Sequence, residues 1–245
     1  MKPKVGFFDF TGCEGCQLAI VNLENEMLDL VGLVDIVNFR EAISDKGQDY
    51  DIACIEGGIS TPTCVERINE IRSKAKVLIT LGSCSSIGGI NSIRNDQPMD
   101  DVRRAVYGEN LYWYPSIPAL PVSAVVKVDY EIPGCPLDED EFLRVLRAIL
   151  QGKTPDIPKY PVCVECKRKE NICVYELGQF CMGPVTRAGC DARCPTSQHY
   201  CYGCRGLVPD PNTNAEKTVL ENYGLSVPET LKKFSLFDNA MEGWK

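Results

Sequence analysis

Four cysteines in the first 150 residues each follow a run of apolar residues that predicts a buried β-strand, and glycines lie beside them. Ligands of doubly wound parallel sheets bind at the carboxyl ends of the strands, so we expect these four thiols to converge on one edge of a sheet. Four thiolates hold one 4Fe-4S cluster, and glycine lets the backbone approach such a cluster closely. These four candidate ligands are Cys13, Cys16, Cys84 and Cys135.

A second set of eight cysteines lies within 42 residues near the C-terminus. A CxxC pair opens the run and another closes it, and eight thiolates are enough for two further 4Fe-4S clusters. Which four thiols would hold which cluster stays open. Paired CxxC motifs also suit tetrahedral zinc, so a zinc-stabilised binding module is the alternative. The eight candidate ligands are Cys163, Cys166, Cys173, Cys181, Cys190, Cys194, Cys201 and Cys204.

Several other residues near these motifs have an ordinary structural interpretation. Cys54 lies inside an apolar run and is expected in the core. Cys64 lies at a predicted helix start, a position that lowers a thiol pKa, but a structural role is favoured. For Glu56, His199 and Arg205 the default expectation is exposure to solvent, although Glu56 could handle protons and Arg205 could raise the potential of a nearby cluster.

Composition narrows the class of protein. The chain has 245 residues, of which 44% are hydrophobic, as is typical of a folded globular protein. Its net charge of −8 argues against nucleic acid as a partner. No apolar run is long enough for a membrane span or a secretory signal, so we expect a soluble protein of the cytoplasm. In a reducing compartment, 14 cysteines with one histidine indicate metal ligation, and favour iron-sulfur clusters over zinc.

The elements that must position the cysteines alternate between strands and helices, which is typical of an open parallel sheet with helices on both faces. We therefore predict an α/β fold with a flavodoxin-like doubly wound sheet and a small C-terminal ferredoxin-like iron-sulfur domain. Residues 91–122 are expected to form a loop-rich insertion with a helix at 100–108. Strands are predicted at 4–10, 33–39, 51–58, 77–84 and 125–135, and further helices at 15–31, 64–76 and 137–152.

The domain boundaries follow from composition. Residues 1–152 form the predicted flavodoxin-like domain, and residues 153–161, which are rich in proline, form a linker. Residues 162–208 contain the eight clustered cysteines and few apolar residues, so this unit needs metal to hold it together. Residues 209–245 remain as a C-terminal extension.

The motifs TGCEGC, EGGIST, LGSC and PGCP, followed by the eight-cysteine segment, resemble a known family. The chain is similar to the small, electron-transferring subunit of cytoplasmic nickel-iron hydrogenases. Within that family it resembles the sulfhydrogenase delta type and the gamma type of methyl-viologen- or deazaflavin-reducing hydrogenases. The resemblance covers nearly the whole chain.

The resemblance implies a cofactor set and partners. Cys13, Cys16, Cys84 and Cys135 would hold a proximal 4Fe-4S cluster, and the eight C-terminal cysteines would hold a medial and a distal cluster. The nickel-iron site would lie on a separate large subunit, and a further iron-sulfur or flavin subunit would exchange electrons with this one. The chain would then be a subunit of a hydrogenase without a complete active site, and we expect no catalytic residue on it.

One departure separates the chain from a related family. The 20 kDa quinone-reductase subunit of respiratory complex I has adjacent cysteines in its first motif, whereas Glu14 and Gly15 separate Cys13 from Cys16 here. This departure weakens an assignment as a quinone oxidoreductase subunit of that kind, which is kept as an alternative. The sequence leaves open whether NAD(P), ferredoxin, deazaflavin or a disulfide reductase accepts the electrons.

Overall fold

A five-stranded parallel sheet organises the first part of the chain. The computed structural model describes residues 2–44, 46–224 and 235–237. The strands lie in the order β2-β1-β3-β4-β5, the flavodoxin-like order, which confirms the predicted α/β fold. The strands are β1 (Lys4–Asp9), β2 (Asp35–Asn38), β3 (Ile52–Glu56), β4 (Val77–Leu81) and β5 (Tyr130–Ile132).

Helices cover both faces of the sheet and connect its strands. The helices are α1 (Gly15–Val21), α2 (Asn25–Leu33), α3 (Pro62–Lys74), α4 (Gly82–Ile87), α5 (Met99–Tyr107), α6 (Glu139–Leu150), α7 (Val162–Arg168), α8 (Arg193–Thr196) and α9 (Thr213–Asn222). Short 3₁₀ helices span Gly89–Asp96, Gly108–Trp113, Val122–Ala124 and Val174–Leu177.

Alternating strand residues build a separate core on each face. Phe7 and Cys54 pack with Phe142 of α6 on one face, whereas Phe8 and Ala53 pack with α3 on the other. This alternation follows from the two-residue period of a strand, and burial on both faces is typical of parallel sheets. The predicted core position of Cys54 is confirmed, since its side chain is fully buried.

Three predicted elements differ from the structure. The helix predicted at 15–31 is divided into α1 and α2, because Glu24 adopts a φ of 47° in the turn between two asparagines, which are poor helix formers. The strand predicted at 77–84 ends at Leu81, because Gly82 with a φ of 82° turns the chain into α4. The strand predicted at 125–135 is reduced to β5. Within the insertion at 91–122, the predicted helix is present as α5.

We call residues 162–208 the tail, and their status as a separate domain stays a prediction. A compact apolar group that includes Val162, Tyr175 and Met182 holds it together. Isolated antiparallel β-bridges also join Pro161 to Arg187 and Thr186 to Leu207. Of the predicted C-terminal extension, residues 225–234 and 238–245 lie outside the described residues. Among the described helices, none combines the length and the apolar character needed to cross a bilayer.

Candidate metal centres

The first group of cysteines lies at the carboxyl edge of the sheet, on connections that follow three different strands. Cys13 follows β1 and is exposed, and Cys16 lies in the first turn of α1, where it is buried. Cys84 lies inside α4, and Cys135 follows β5 and is exposed. The site therefore has an inner, buried side and an outer side open to solvent.

The structure brings these four thiols together. Burial raises the pKa of Cys84 to about 11, and the neighbouring thiols of Cys135 and Cys13 add to this rise. Burial and the nearby carboxylate of Glu56 raise the pKa of the Cys16 thiol, and Cys135 and Cys84 add smaller contributions. Neighbouring thiols oppose each other's deprotonation because the resulting thiolates repel one another. A metal centre that binds the deprotonated sulfurs removes this repulsion, so the donor set fits a thiolate-bound cluster. Their role as ligands stays a prediction.

A buried carboxylate supports the inner side of this first site. Glu56 ends β3 and is only 4% exposed, so the default expectation of solvent exposure is wrong for it. Its two oxygens accept the backbone N–H groups of Cys16 at 3.0 Å and Gln17 at 2.9 Å. These are unpaired donors of the first turn of α1, so Glu56 anchors the turn that carries Cys16.

Gly89 was not identified from the sequence, although it contacts the same site. A Cβ atom placed on it would lie 2.7 Å from the Cys84 backbone nitrogen and 2.8 Å from the Cys84 sulfur. Its φ of 60° is also one that other residues rarely adopt. The Gly-Gly pair at 88–89 is the signal that could have indicated a close approach of the backbone at this point.

In the tail, Cys163 and Cys181 face one another across Gly183. A Cβ atom on Gly183 would lie 3.3 Å from either sulfur, so the lack of a side chain leaves the space between them open. The Cys181 sulfur accepts backbone N–H groups from Gly183 at 3.4 Å and from Cys201 at 3.3 Å. Hydrogen bonds of this kind favour the thiolate form that binds metal.

A second tail group consists of Cys190 and Cys204 and lies next to the first site. Burial, with Cys190 beside it, raises the pKa of Cys204 to about 12, and the nearby backbone N–H of Cys135 partly offsets the rise. Cys201 is adjacent to both Cys181 and Cys204. The thiols therefore form a continuous series from Cys135 through Cys204 and Cys201 to Cys181.

The remaining tail cysteines have different environments. Cys166 lies in α7, and its sulfur accepts a hydrogen bond from the Asn171 side-chain amide, with Nδ2 at 3.7 Å. Cys194 lies in α8, and Cys173 is exposed. Their role as ligands stays a prediction, and which cluster each would serve stays open. Within the described residues, no three His, Cys, Asp or Glu side chains are close enough to hold a single metal ion.

A half-buried acid in the tail was also missed by sequence reasoning. Glu165 lies between the first two tail cysteines, and its carboxylate accepts the backbone N–H groups of Gly189 at 2.7 Å and Ala192 at 3.1 Å. These residues flank Cys190, so Glu165 holds the Cys190 loop against α7. Its position inside a CxxC motif offers no signal of this contact.

Known proteins are similar to this chain over most of its length. Residues 13–149 match the family described as NADH ubiquinone oxidoreductase, 20 Kd subunit, a range that includes the first cysteine site. Sulfhydrogenase 2 subunit delta of Pyrococcus furiosus is 36% identical, over 96% of this chain and 98% of that protein. An iron-sulfur subunit of the F420-non-reducing hydrogenase of Archaeoglobus profundus is 24% identical, over 85% of this chain and 84% of its own length.

A solved structure shares the fold. A chain of an NAD⁺-reducing NiFe-hydrogenase in the H₂-reduced state has a TM-score of 0.59 and is 24% identical. The match covers 64% of this chain and 96% of that one. At this level of identity the likeness shows the fold alone.

Proposed function

This chain belongs to the family of the NADH ubiquinone oxidoreductase 20 Kd subunit and is a subunit of a hydrogenase complex, and from this premise we propose that it relays electrons through three 4Fe-4S clusters. In this role it joins a nickel-iron site on a separate large subunit to a further iron-sulfur or flavin subunit in the cytoplasm. The observation that carries the proposal is the convergence of Cys13, Cys16, Cys84 and Cys135 at one sheet edge, with Cys204 beside Cys135.

The chain's own residues would hold and tune the clusters. Iron-sulfur clusters supply reversible electron transfer at potentials that depend on burial, hydrogen bonds to sulfur and nearby charge. Glu56 anchors the turn of Cys16, and the backbone N–H of Cys201 donates to the Cys181 sulfur. A hydrogen bond to the Cys181 sulfur stabilises negative charge there, which favours the reduced state of a cluster bound to it.

The thiols follow one another in space from the sheet edge into the tail, and this series supports an order of the cluster sites along the electron path. The site of Cys13, Cys16, Cys84 and Cys135 would be proximal, and the group of Cys190 and Cys204 would be medial, because Cys204 lies beside Cys135. The group of Cys163 and Cys181 would then be distal. Electrons would leave the chain from that side.

Metal analysis of the native complex tests the proposal. After anaerobic purification we expect about twelve irons per chain, four for each cluster, with matching acid-labile sulfide. The Cys16→Ser variant should lose about four irons and one EPR signal, whereas the matched variant Cys64→Ser should lose neither. Stoichiometric zinc without iron would support the zinc-stabilised module instead and would refute electron relay.

The partner separates a hydrogenase subunit from a quinone reductase subunit. We expect the native complex to contain nickel and to reduce acceptors in the presence of hydrogen. The match to the 20 Kd subunit family makes the quinone reductase role the second candidate. A complex that contains no nickel and reduces quinones from another donor would overturn the hydrogenase assignment.

A further inference from the structure

Arg205 is the largest fully buried side chain among the described residues. Its exposure is 1%, so the default expectation of a solvated surface arginine is wrong. The guanidinium donates through Nε to the Ala188 carbonyl at 3.0 Å, through Nη1 to the Pro133 carbonyl, and through Nη2 to the Glu141 carboxylate at 2.6 Å. Every nitrogen of the planar group therefore has a partner, and two of the three partners are backbone carbonyls.

These carbonyls belong to the loops that carry candidate ligands. Pro133 lies two residues before Cys135 and Ala188 lies two residues before Cys190, while Arg205 itself directly follows Cys204. One guanidinium thus ties together the backbones of three cysteine loops, one from the first site and two from the tail.

The chain also makes room for the guanidinium at the point of closest approach. Gly189 lies directly before Cys190, and a Cβ atom on it would overlap the Arg205 guanidinium and the Glu141 carboxylate. A side chain at this position would force the Cys190 loop away from Arg205. The close contact therefore depends on both residues, the arginine at 205 and the glycine at 189.

Building on the proposed function, we infer that Arg205 is a positioning residue, which fixes the first site against the neighbouring Cys190 and Cys204 site and so governs electron transfer between them. A buried ion pair is costly to desolvate, and packed apolar residues would join two units at least as well. The fork of the guanidinium, in contrast, defines the directions of several hydrogen bonds at once. Lysine keeps the charge but has no rigid fork, so it cannot reproduce the three contacts.

Arg187 provides a matched control at the same interface. Its Nη2 contacts the Glu131 carboxylate of β5 at 3.2 Å, so it also pairs the tail with the sheet. That contact is to a side chain, whereas Arg205 contacts the carbonyls of cysteine loops. Removal of the Arg187 charge should therefore weaken the interface without shifting one cluster site relative to the other.

The test uses the anaerobically purified native complex with Arg205→Lys, Arg205→Gln or Arg187→Gln. We expect both Arg205 variants to keep their iron, to change the magnetic interaction between the first and the adjacent cluster in reduced EPR spectra, and to slow hydrogen-driven reduction of the tail clusters by about 10-fold or more. Arg187→Gln should match the wild type in both measurements.

The outcomes separate positioning from a purely structural or electrostatic role. A wild-type interaction spectrum and rate in Arg205→Lys, with its charge retained, would overturn the inference, because the three contacts would then be dispensable. Loss of iron in both Arg205 variants would also overturn it, since the residue would be required for assembly and not for spacing. A wild-type complex without iron would refute the proposed function itself.

Discussion

The substitution Gly89→Ala is expected to remove the first cluster and leave the two in the tail. An alanine Cβ would lie 2.7 Å from the Cys84 backbone nitrogen, whereas ordinary contact begins at 3.4 Å. The Cys84 backbone must therefore move by about 0.7 Å, which exceeds the roughly 0.2 Å tolerance of metal-ligand distances. The atoms in the way are backbone and sulfur, which cannot rotate aside as a flexible side chain would.

Backbone strain alone must be separated from this steric effect. Gly152 has a φ of 67°, close to the 60° of Gly89, but a Cβ atom on it would meet nothing within 4 Å. Both alanine variants should lose about 1–2 kcal/mol from the strained backbone conformation. Only Gly89→Ala should also displace Cys84.

The assay compares iron content, EPR spectra and thermal unfolding of the two variants after anaerobic purification. We expect Gly152→Ala to retain about twelve irons per chain and Gly89→Ala to retain about eight. If Gly89→Ala kept all its iron and every signal, Cys84 would not be a ligand of the first cluster and the geometric argument would fail.

Three further outcomes are expected. Cys163→Ser should remove one tail cluster while the EPR signal of the first cluster persists. Ser83→Ala should lower the free energy of unfolding by about 1 kcal/mol in a denaturant titration, because the Ser83 hydroxyl donates to the Cys204 carbonyl, and it should spare all clusters. The backbone N–H of Lys4 lowers the pKa of Asp51 below 3.8, so its stabilisation is present above that pH and lost as the pH falls. Asp51→Asn should therefore cost about 1 kcal/mol at neutral pH, and this cost, measured as the difference in unfolding midpoints, should shrink as the pH falls below the ordinary carboxyl range.

The sheet could be predicted because its signal is local. The buried runs that became β1, β3 and β4 are continuous in the sequence, and the core role of Cys54 follows from its position inside one of them. The approach of the four strand-end cysteines also follows, since parallel strands end at a common edge. Spacing along the chain and the geometry of the fold are sufficient for that step.

The contacts that shape the site could not be predicted, because they join distant parts of the chain. The burial of Arg205 depends on Pro133 and Glu141, and Glu56 is buried because it meets the first turn of α1. The type of a charged residue does not indicate whether its side chain will pair with a distant part of the chain or face water. The replacement of a strand end by α4 likewise depends on one glycine conformation.

The order of the loops along the chain bears on how the protein is made. Ser83 and Pro133, which receive the tail, are translated well before Cys204 and Arg205. Since chains fold from the N-terminus during synthesis, the sheet edge can form while the tail is still being translated. Docking of the tail then covers the flank of the first cysteine site that Ser83 and Pro133 form. Iron that arrives after this step would have to enter from the outer side, where the first site is open to solvent.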